Sequence, residues 1–321
     1  MTSPTVSVVI PTRNRWQLLS RTLESALNQE AVAVEVVVVD DGSDHRDALV
    51  PGIEDARVRL VRHRQRQGPA AARNTGIREA RAPWVAFLDD DDLWAPHRLR
   101  VVLDALGRTD GSFAYCAALV VDDCLRPRIL QPAPPVNQLM PTLLRYNAIP
   151  GGASNVVAST SLLEEVRGFD ESLSFVADWD MWIRLVEIGR PVAVPDVLIA
   201  YVHHAGSWVL REDQAIMDEL QRLIEKHAAL SRRHGVAIDL LEYDRFVAHR
   251  LWLAGRRGAG ARRYLAAAWN HRDPGSFLRA VRALMMTHEL AARLGFARER
   301  PHAPEWLEHL AASSSAAVPA P

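Results

Sequence analysis

The stretch Trp84-Val85-Ala86-Phe87-Leu88-Asp89-Asp90-Asp91-Asp92-Leu93-Trp94 decides how this chain is read. Five apolar residues follow Pro83 and read as a short buried strand. The strand stops abruptly in four consecutive carboxylates. Like charges this close repel and resist burial unless a cation joins them. Carboxylate oxygens are preferred ligands of hard ions such as Mg²⁺ and Mn²⁺. Open α/β sheets bind their ligands at the carboxyl ends of strands. The run therefore reads as a metal platform at a sheet edge, against the alternative of a solvated acidic turn.

Working outward, Val6 to Ile10 is a β-branched strand closed by Pro11, and Trp16, Leu19, Leu23 and Leu27 share one face of a helix over 15–29. Glu35 to Val39 is a continuous apolar strand that stops at Asp40-Asp41-Gly42-Ser43, and Val58 to Val61 is a third strand. Pro69 to Ala80 reads as a helix with proline in its first turn. Leu99, Val102, Leu103 and Leu106 place another helix directly after the aspartates. This order predicts a mostly parallel sheet covered by helices, since near-continuous apolar strands imply burial on both faces. Beyond residue 112, a strand is expected over 113–121 and a proline-rich loop over 126–141. Short helices follow over 160–166 and 180–187, then an extended segment over 192–202 and helices from 212 on. Residues 311–321, rich in Ala, Ser and Pro, read as a disordered tail.

Three polar strand ends then meet on one edge: Pro11-Thr12-Arg13-Asn14-Arg15, Asp40-Asp41-Gly42-Ser43 and the aspartate run. Turn chemistry could explain each alone, but not their convergence. Asp41 is suited to accept hydrogen bonds from a base or ribose. Arg73, in Gln67-Gly68-Pro69-Ala70-Ala71-Ala72-Arg73-Asn74, offers a planar fork to a phosphate or base.

In order and spacing these segments resemble family 2 glycosyltransferases. The likeness continues through Gly168-Phe169-Asp170-Glu171, Ala177-Asp178-Trp179-Asp180-Met181-Trp182 and Tyr201-Val202-His203-His204-Ala205-Gly206-Ser207, covering about residues 5 to 210. The resemblance implies a GT-A-type α/β fold, Rossmann-like and flanked by helices, and an inverting, metal-dependent transfer of one sugar from a nucleotide diphosphate, with a UDP-sugar the favoured donor. It places Pro11, Thr12 and Arg13 around the nucleotide base, Asp41 on the base and Arg73 on the nucleotide. Asp89 and Asp91 match the family's pair of metal-site aspartates, with Mn²⁺ or Mg²⁺ as cofactor. Asp89 and Asp90 would also serve the ribose side, and Asp92 would cap or orient the next helix. His204 matches a histidine that closes over the diphosphate and is expected with Asp89 and Asp91 at the metal, and Asp178 matches the catalytic base. Asp180 is expected as a helix cap or orienting residue. Trp179 and Trp182 are expected as an acceptor wall, although the helical spacing of Trp182 also suits a core position. The acceptor class implied is a hydroxyl on a glycan, a lipid-linked saccharide or a small molecule.

The whole chain has 321 residues, 48% hydrophobic and 24% charged, with net charge −1. This is ordinary for a globular protein. Expected domains are a transferase domain over 1–210, a helical extension over 211–310 and the tail over 311–321. Two cysteines, Cys116 and Cys124, form neither metal spacing nor a disulfide framework and fit a reduced cytoplasm. No apolar run is long enough to span a bilayer. Residues 245–300 hold twelve Arg against three acids, a patch that suits a solvated face, a partner, or peripheral contact at the inner membrane face. No nucleic-acid partner is expected. Rossmann and P-loop glycine signatures are absent. The competing readings are a nucleotidyltransferase, which would need a Gly-rich loop after the first strand, and a non-catalytic nucleotide- or sugar-binding module.

Overall fold

The computed structural model describes residues 3–44, 52–203, 214–287, 290–291 and 301–316. The chain divides into two compact units: residues 1–143, 147–202 and 303–321 form one, and residues 144–146 and 203–302 the other.

The first unit opens with β1 (Val6–Thr12), α1 (Trp16–Leu27), β2 (Val34–Asp40), β3 (Val58–Arg62), α2 (Pro69–Glu79) and β4 (Trp84–Phe87). It continues through β5 (Leu93–Trp94), α3 (Arg98–Thr109), β6 (Phe113–Asp122), β7 (Pro127–Gln131) and α4 (Val136–Leu143). A 3-10 turn (Gly152–Asn155), β8 (Val157–Ser159), α5 (Thr160–Glu165), α6 (Ala177–Ile188) and β9 (Pro191–His203) complete its sheet. The strand order is β3-β2-β1-β4-β8-β6-β9-β5, with β7 beside β6. The first four strands are parallel, as the apolar runs predict. From β8 onward the pairings are antiparallel, so the parallel layer is one half of a mixed sheet. The core lies where Val6, Val8 and Ile10 of β1 meet Leu19 and Leu23 of α1, Val36 and Val38 of β2, and Leu99 and Val102 of α3.

Four local expectations change. Pro11 continues β1 instead of ending it, opposite Val39 of β2. The β1–β4 ladder has stopped by then, at Val9 opposite Phe87, so proline sits where the strand has a neighbour on one side only. Most of residues 126–141 is regular: β7 pairs along β6, with Pro127 as its first residue, and α4 follows after a short connection. Leu93-Trp94 pairs with Ala200 and Ile199 before the predicted helix begins. In the expected tail, residues as far as Ala316 form α12 (Glu305–Ala316). Its Trp306 donates Nε1 to the Val197 carbonyl at 3.0 Å, and Leu307 is buried beside Leu93, Leu119 and Val202. Composition suggested disorder from residue 311, but the helix anchored by Trp306 and Leu307 just before it runs on to Ala316.

The second unit is helical, with α7 (Gln214–Lys226), α8 (Ala228–His234), α9 (Leu240–Leu253), α10 (Arg257–Asn270) and α11 (Pro274–Met285). Its core gathers Ala248, Trp252, Ala261, Tyr264, Ala280 and Ala283. No helix among the described residues is long and apolar enough to cross a membrane.

One close approach fixes α2 on the sheet. A Cβ added at Gly76 would lie 2.1 Å from a methyl carbon of Val9. Gly76→Ala therefore overpacks this contact, at a cost of about 1–3 kcal/mol that exceeds the ~1 kcal/mol gained in helix propensity. Urea denaturation should show the loss, and Val9→Ala in the same chain should restore part of it.

Candidate active site

The four aspartates alternate in exposure. Asp89 and Asp91 keep 27% and 13% of their side-chain surface, while Asp90 and Asp92 are buried. Asp90 points back to β1. It accepts from Thr12 Oγ1 at 2.7 Å and from Arg15 Nη1 at 2.9 Å, and the same Arg15 nitrogen reaches Asp91 Oδ2 at 2.9 Å. Burial, reinforced by the neighbouring Asp91 charge, pushes the Asp90 carboxyl up to about 7 despite Arg15 and Thr12. Asp92 does not cap the next helix. It accepts from the Ser154 hydroxyl and, at 2.9 Å, from the Val202 amide, and burial raises its pKa well above the ordinary range. Ser154 Oγ also accepts from the Asp89 amide at 3.0 Å, which fixes the first aspartate from below.

Thr12 is buried, Pro11 half-buried and Arg13 exposed at the end of β1. The Asp41 amide donates to the Thr12 carbonyl at 2.9 Å, which joins two of the three converging strand ends. The Asp41 carboxylate holds the loop entering α2, accepting from the Gln67 and Gly68 amides at 2.7 and 2.8 Å. His63 Nδ1 lies 2.9 Å from Asp41 Oδ1, and its Nε2 lies 2.9 Å from Thr75 Oγ1. Arg73 is buried, with Nη2 at 2.5 Å from Asp89 Oδ1 and its guanidinium 5.5 Å from the centre of the Phe169 ring. Asn74 clamps the segment that supplies this ring: it donates to the Phe169 carbonyl and accepts from the Phe169 amide at 2.9 and 2.7 Å.

Asp178 lies in the first turn of α6, which starts three residues earlier than the sequence pattern suggests. Its half-buried carboxylate accepts from the Trp179 amide at 2.8 Å and from Asn147 Nδ2 at 3.1 Å. Burial raises its pKa, opposed chiefly by the positive charge of Arg73, while Asp89 adds to the rise. The charges of Arg73 and Asp89 thus both bear on Asp178 through space.

The neighbours of Asp178 do not form an acceptor wall. Trp179 is buried, with Nε1 donating to the Leu143 carbonyl at 2.6 Å. Trp182 is fully buried and packs with Phe87 and Phe169, ring centres 6.5 and 6.1 Å away. Asp180 is neither cap nor substrate contact. It is buried and paired with Arg184 at 2.8 Å, and Arg184 in turn donates to the Val166 and Gly168 carbonyls. The reason is that α6 is buried on nearly every side, with Trp179, Asp180, Met181, Trp182, Ile183 and Leu185 all buried. His204 lies outside the described residues. Sequence reasoning assigned no role to Arg15, His63, Asn74, Asn147 or Ser154. Arg15 and Asn74 sat inside quoted motifs, whereas no local signal marks the other three.

A cation is compatible with this donor set only in company. Among the described residues, no three of His, Cys, Asp and Glu gather to hold an ion by themselves. Asp89 and Asp91, the outward members of a crowded anionic run, fit an Mg²⁺-type site built from one or two carboxylates completed by substrate phosphates.

The sequence model described as "Glycosyl transferase family 2" matches residues 7–165. The succinoglycan biosynthesis protein ExoO of Rhizobium meliloti (strain 1021) is 47% identical over 36% of this chain and 32% of its own length, so the match spans about a third of that relative. WcaA of Escherichia coli (strain K12), a glycosyl transferase ascribed to colanic acid biosynthesis, is 30% identical over 63% of this chain and 74% of its own. WfaP of Escherichia coli, a UDP-Glc:alpha-D-GlcNAc-diphosphoundecaprenol beta-1,3-glucosyltransferase, is 25% identical over 63% of this chain and 78% of its own. Among solved structures, S. aureus TarS 1-349 in complex with UDP-GlcNAc superposes with a TM-score of 0.55 at 18% identity, covering 92% of this chain and 93% of that one. A half-parallel mixed sheet flanked by helices, with carboxylates at its strand ends, is the GT-A architecture. The chain belongs to glycosyl transferase family 2.

The raised pKa of Asp90 has a stability consequence. Between an unfolded value of about 4 and the folded value of about 7, the folded chain holds a proton that the unfolded chain lacks. Its contribution to stability therefore falls as pH rises through that window. Asp90→Asn removes this dependence. Urea midpoints measured across the window should shift in the variant's favour, relative to wild type, as pH rises.

Proposed function

We propose that this chain transfers a single sugar from a nucleotide diphosphate to an acceptor hydroxyl, with inversion at the anomeric carbon. The observation that carries the reading is Asp178: a half-buried carboxylate of raised pKa, held by Trp179 and Asn147 and in the field of Arg73 and Asp89. A group so placed can take the proton of an attacking hydroxyl, and its raised pKa improves it as a base near neutral pH. Arg73 offers a preorganised positive fork to the leaving diphosphate, and direct displacement from the opposite face inverts the sugar carbon. Thr12, Arg13 and Asp41, at adjoining strand ends, are the proposed cradle of the nucleotide. Asp89 and Asp91 are the proposed carboxylates for Mn²⁺ or Mg²⁺, which when bound would neutralise charge on the leaving diphosphate. The UDP-GlcNAc complex of TarS and the UDP-Glc donor in the name of WfaP support a UDP-sugar donor. The names of ExoO, WcaA and WfaP favour surface polysaccharide assembly, with a saccharide or lipid-linked saccharide as acceptor.

Asp178→Asn should bind UDP as wild type does and lose transfer by about 10²–10⁴-fold. Transfer at the wild-type rate would remove Asp178 as the base. Wild-type kcat should fall on the acid side, with a midpoint above the ordinary carboxylate range, because only the deprotonated Asp178 accepts a proton. In calorimetry, Asp91→Asn should abolish the strengthening of UDP binding by Mn²⁺, and strengthening that persists would reject the metal assignment.

A further inference from the structure

Helix α11 is built inside out. Its buried positions are small, Ser276, Ala280 and Ala283. Its outer positions carry Phe277, Leu278, Val281, Leu284 and Met285, all exposed, with Leu278 at 69% and Met285 at 73%. A helix that packs on a core ordinarily does the reverse. The neighbouring α10 extends the same surface, since its exposed Leu265 and Trp269 line one cavity with Pro274 and Phe277. Trp269 is 85% exposed. A contiguous apolar surface of this kind marks an interaction site, unlike scattered single exposures.

The charge around it says what it meets. Residues 257–287 contain six arginines, at 257, 262, 263, 272, 279 and 282, against one acid, Asp273. Asp273 is itself paired with Arg245 at 2.7 Å. Arg262 lies on the exposed side of α10, one turn before Leu265, and Arg272 is exposed in the turn between the helices. We infer that the outer face of α10 and α11 docks the chain onto an anionic lipid surface, with Trp269, Phe277, Leu278 and Met285 entering the headgroup region and Arg262 and Arg272 meeting lipid phosphates. Apolar side chains with a basic surround and an interfacial tryptophan suit that boundary. Each basic residue near an anionic surface strengthens binding several-fold. A second copy fits poorly, because a two-fold contact presents the same patch to itself and sets arginine against arginine. The inference rests on this unit alone and stands apart from the transfer reaction: a chain that binds vesicles but transfers no sugar would reject only the latter.

The test is co-sedimentation of the full chain with vesicles of phosphatidylcholine alone and of phosphatidylcholine with phosphatidylglycerol. Binding is expected to the anionic vesicles only and to weaken with salt. Trp269→Ser with Leu278→Ser should lower the partition coefficient by at least about tenfold, with circular dichroism and melting temperature unchanged, since both side chains are exposed. Arg262→Glu with Arg272→Glu should abolish the preference for anionic lipid. Trp269→Phe should keep binding but lose the blue shift of tryptophan emission that vesicles produce. Binding that survives the serine pair, or equal binding to neutral vesicles, overturns the inference. So does a dimer in sedimentation velocity that the serine pair dissolves, which would give the face to a second copy.

Discussion

A carboxylate with no access to solvent holds the site together. Asp92 is clasped by the Ser154 hydroxyl and the Val202 amide, and its own carbonyl accepts from Thr22 Oγ1 at 2.9 Å. Four distant parts of the sequence meet at that residue: α1, the aspartate run, the 3-10 turn and β9. Burying an ionisable group without such partners would cost several kcal/mol. The raised pKa shows that burial outweighs what the partners return to the charged form. That cost falls where the end of the aspartate run is tied to α1, to the turn before β8 and to β9. Ser154 carries the tie on to the Asp89 amide, and the Ser154 carbonyl accepts from Trp94 Nε1 at 2.9 Å.

A second tie is apolar. Phe87 ends β4 just before the aspartates, Phe169 underlies Arg73, and Trp182 belongs to the helix that presents Asp178. Phe87 and Phe169 meet edge to face at 5.1 Å, and Trp182 packs on both. Edge-to-face aromatic contacts are rigid and directional. The three elements that supply Asp89, Arg73 and Asp178 are thus set against one hydrophobic wedge. Gly168, at φ +67°, turns the chain into this wedge where a Cβ would strike Asn74.

The parallel half of the fold was legible because its strands are continuous apolar runs ending in polar residues, as Val36 to Asp40 shows. The antiparallel half was less so. β7 begins with Pro127, which a strand's first position tolerates, and α4 carries Pro141 inside the helix, so local reading takes those prolines for loop. The outward alternation of Asp89 and Asp91 also could not be read. It depends on Thr12, Arg15 and Ser154 arriving from 62 or more residues away to claim the inward pair. Motif position singled out Asp178, and helical spacing allowed Trp182 its core position, but local reading did not show that α6 is buried on nearly every side, which takes Trp179 and Asp180 inward as well. Asn147 lies in no motif and is known only through the hydrogen bond it makes.

The proton on Asp90 alters how the aspartate run behaves as a charge. Burial and the Asp91 charge raise its pKa to about 7, far above an ordinary carboxyl, so the run is not a fixed block of four anions. A positive charge brought close to it will expel part of that proton. The heat of any such association will then include the ionisation heat of the surrounding buffer, and its apparent enthalpy will differ between phosphate and Tris although the contacts formed are the same.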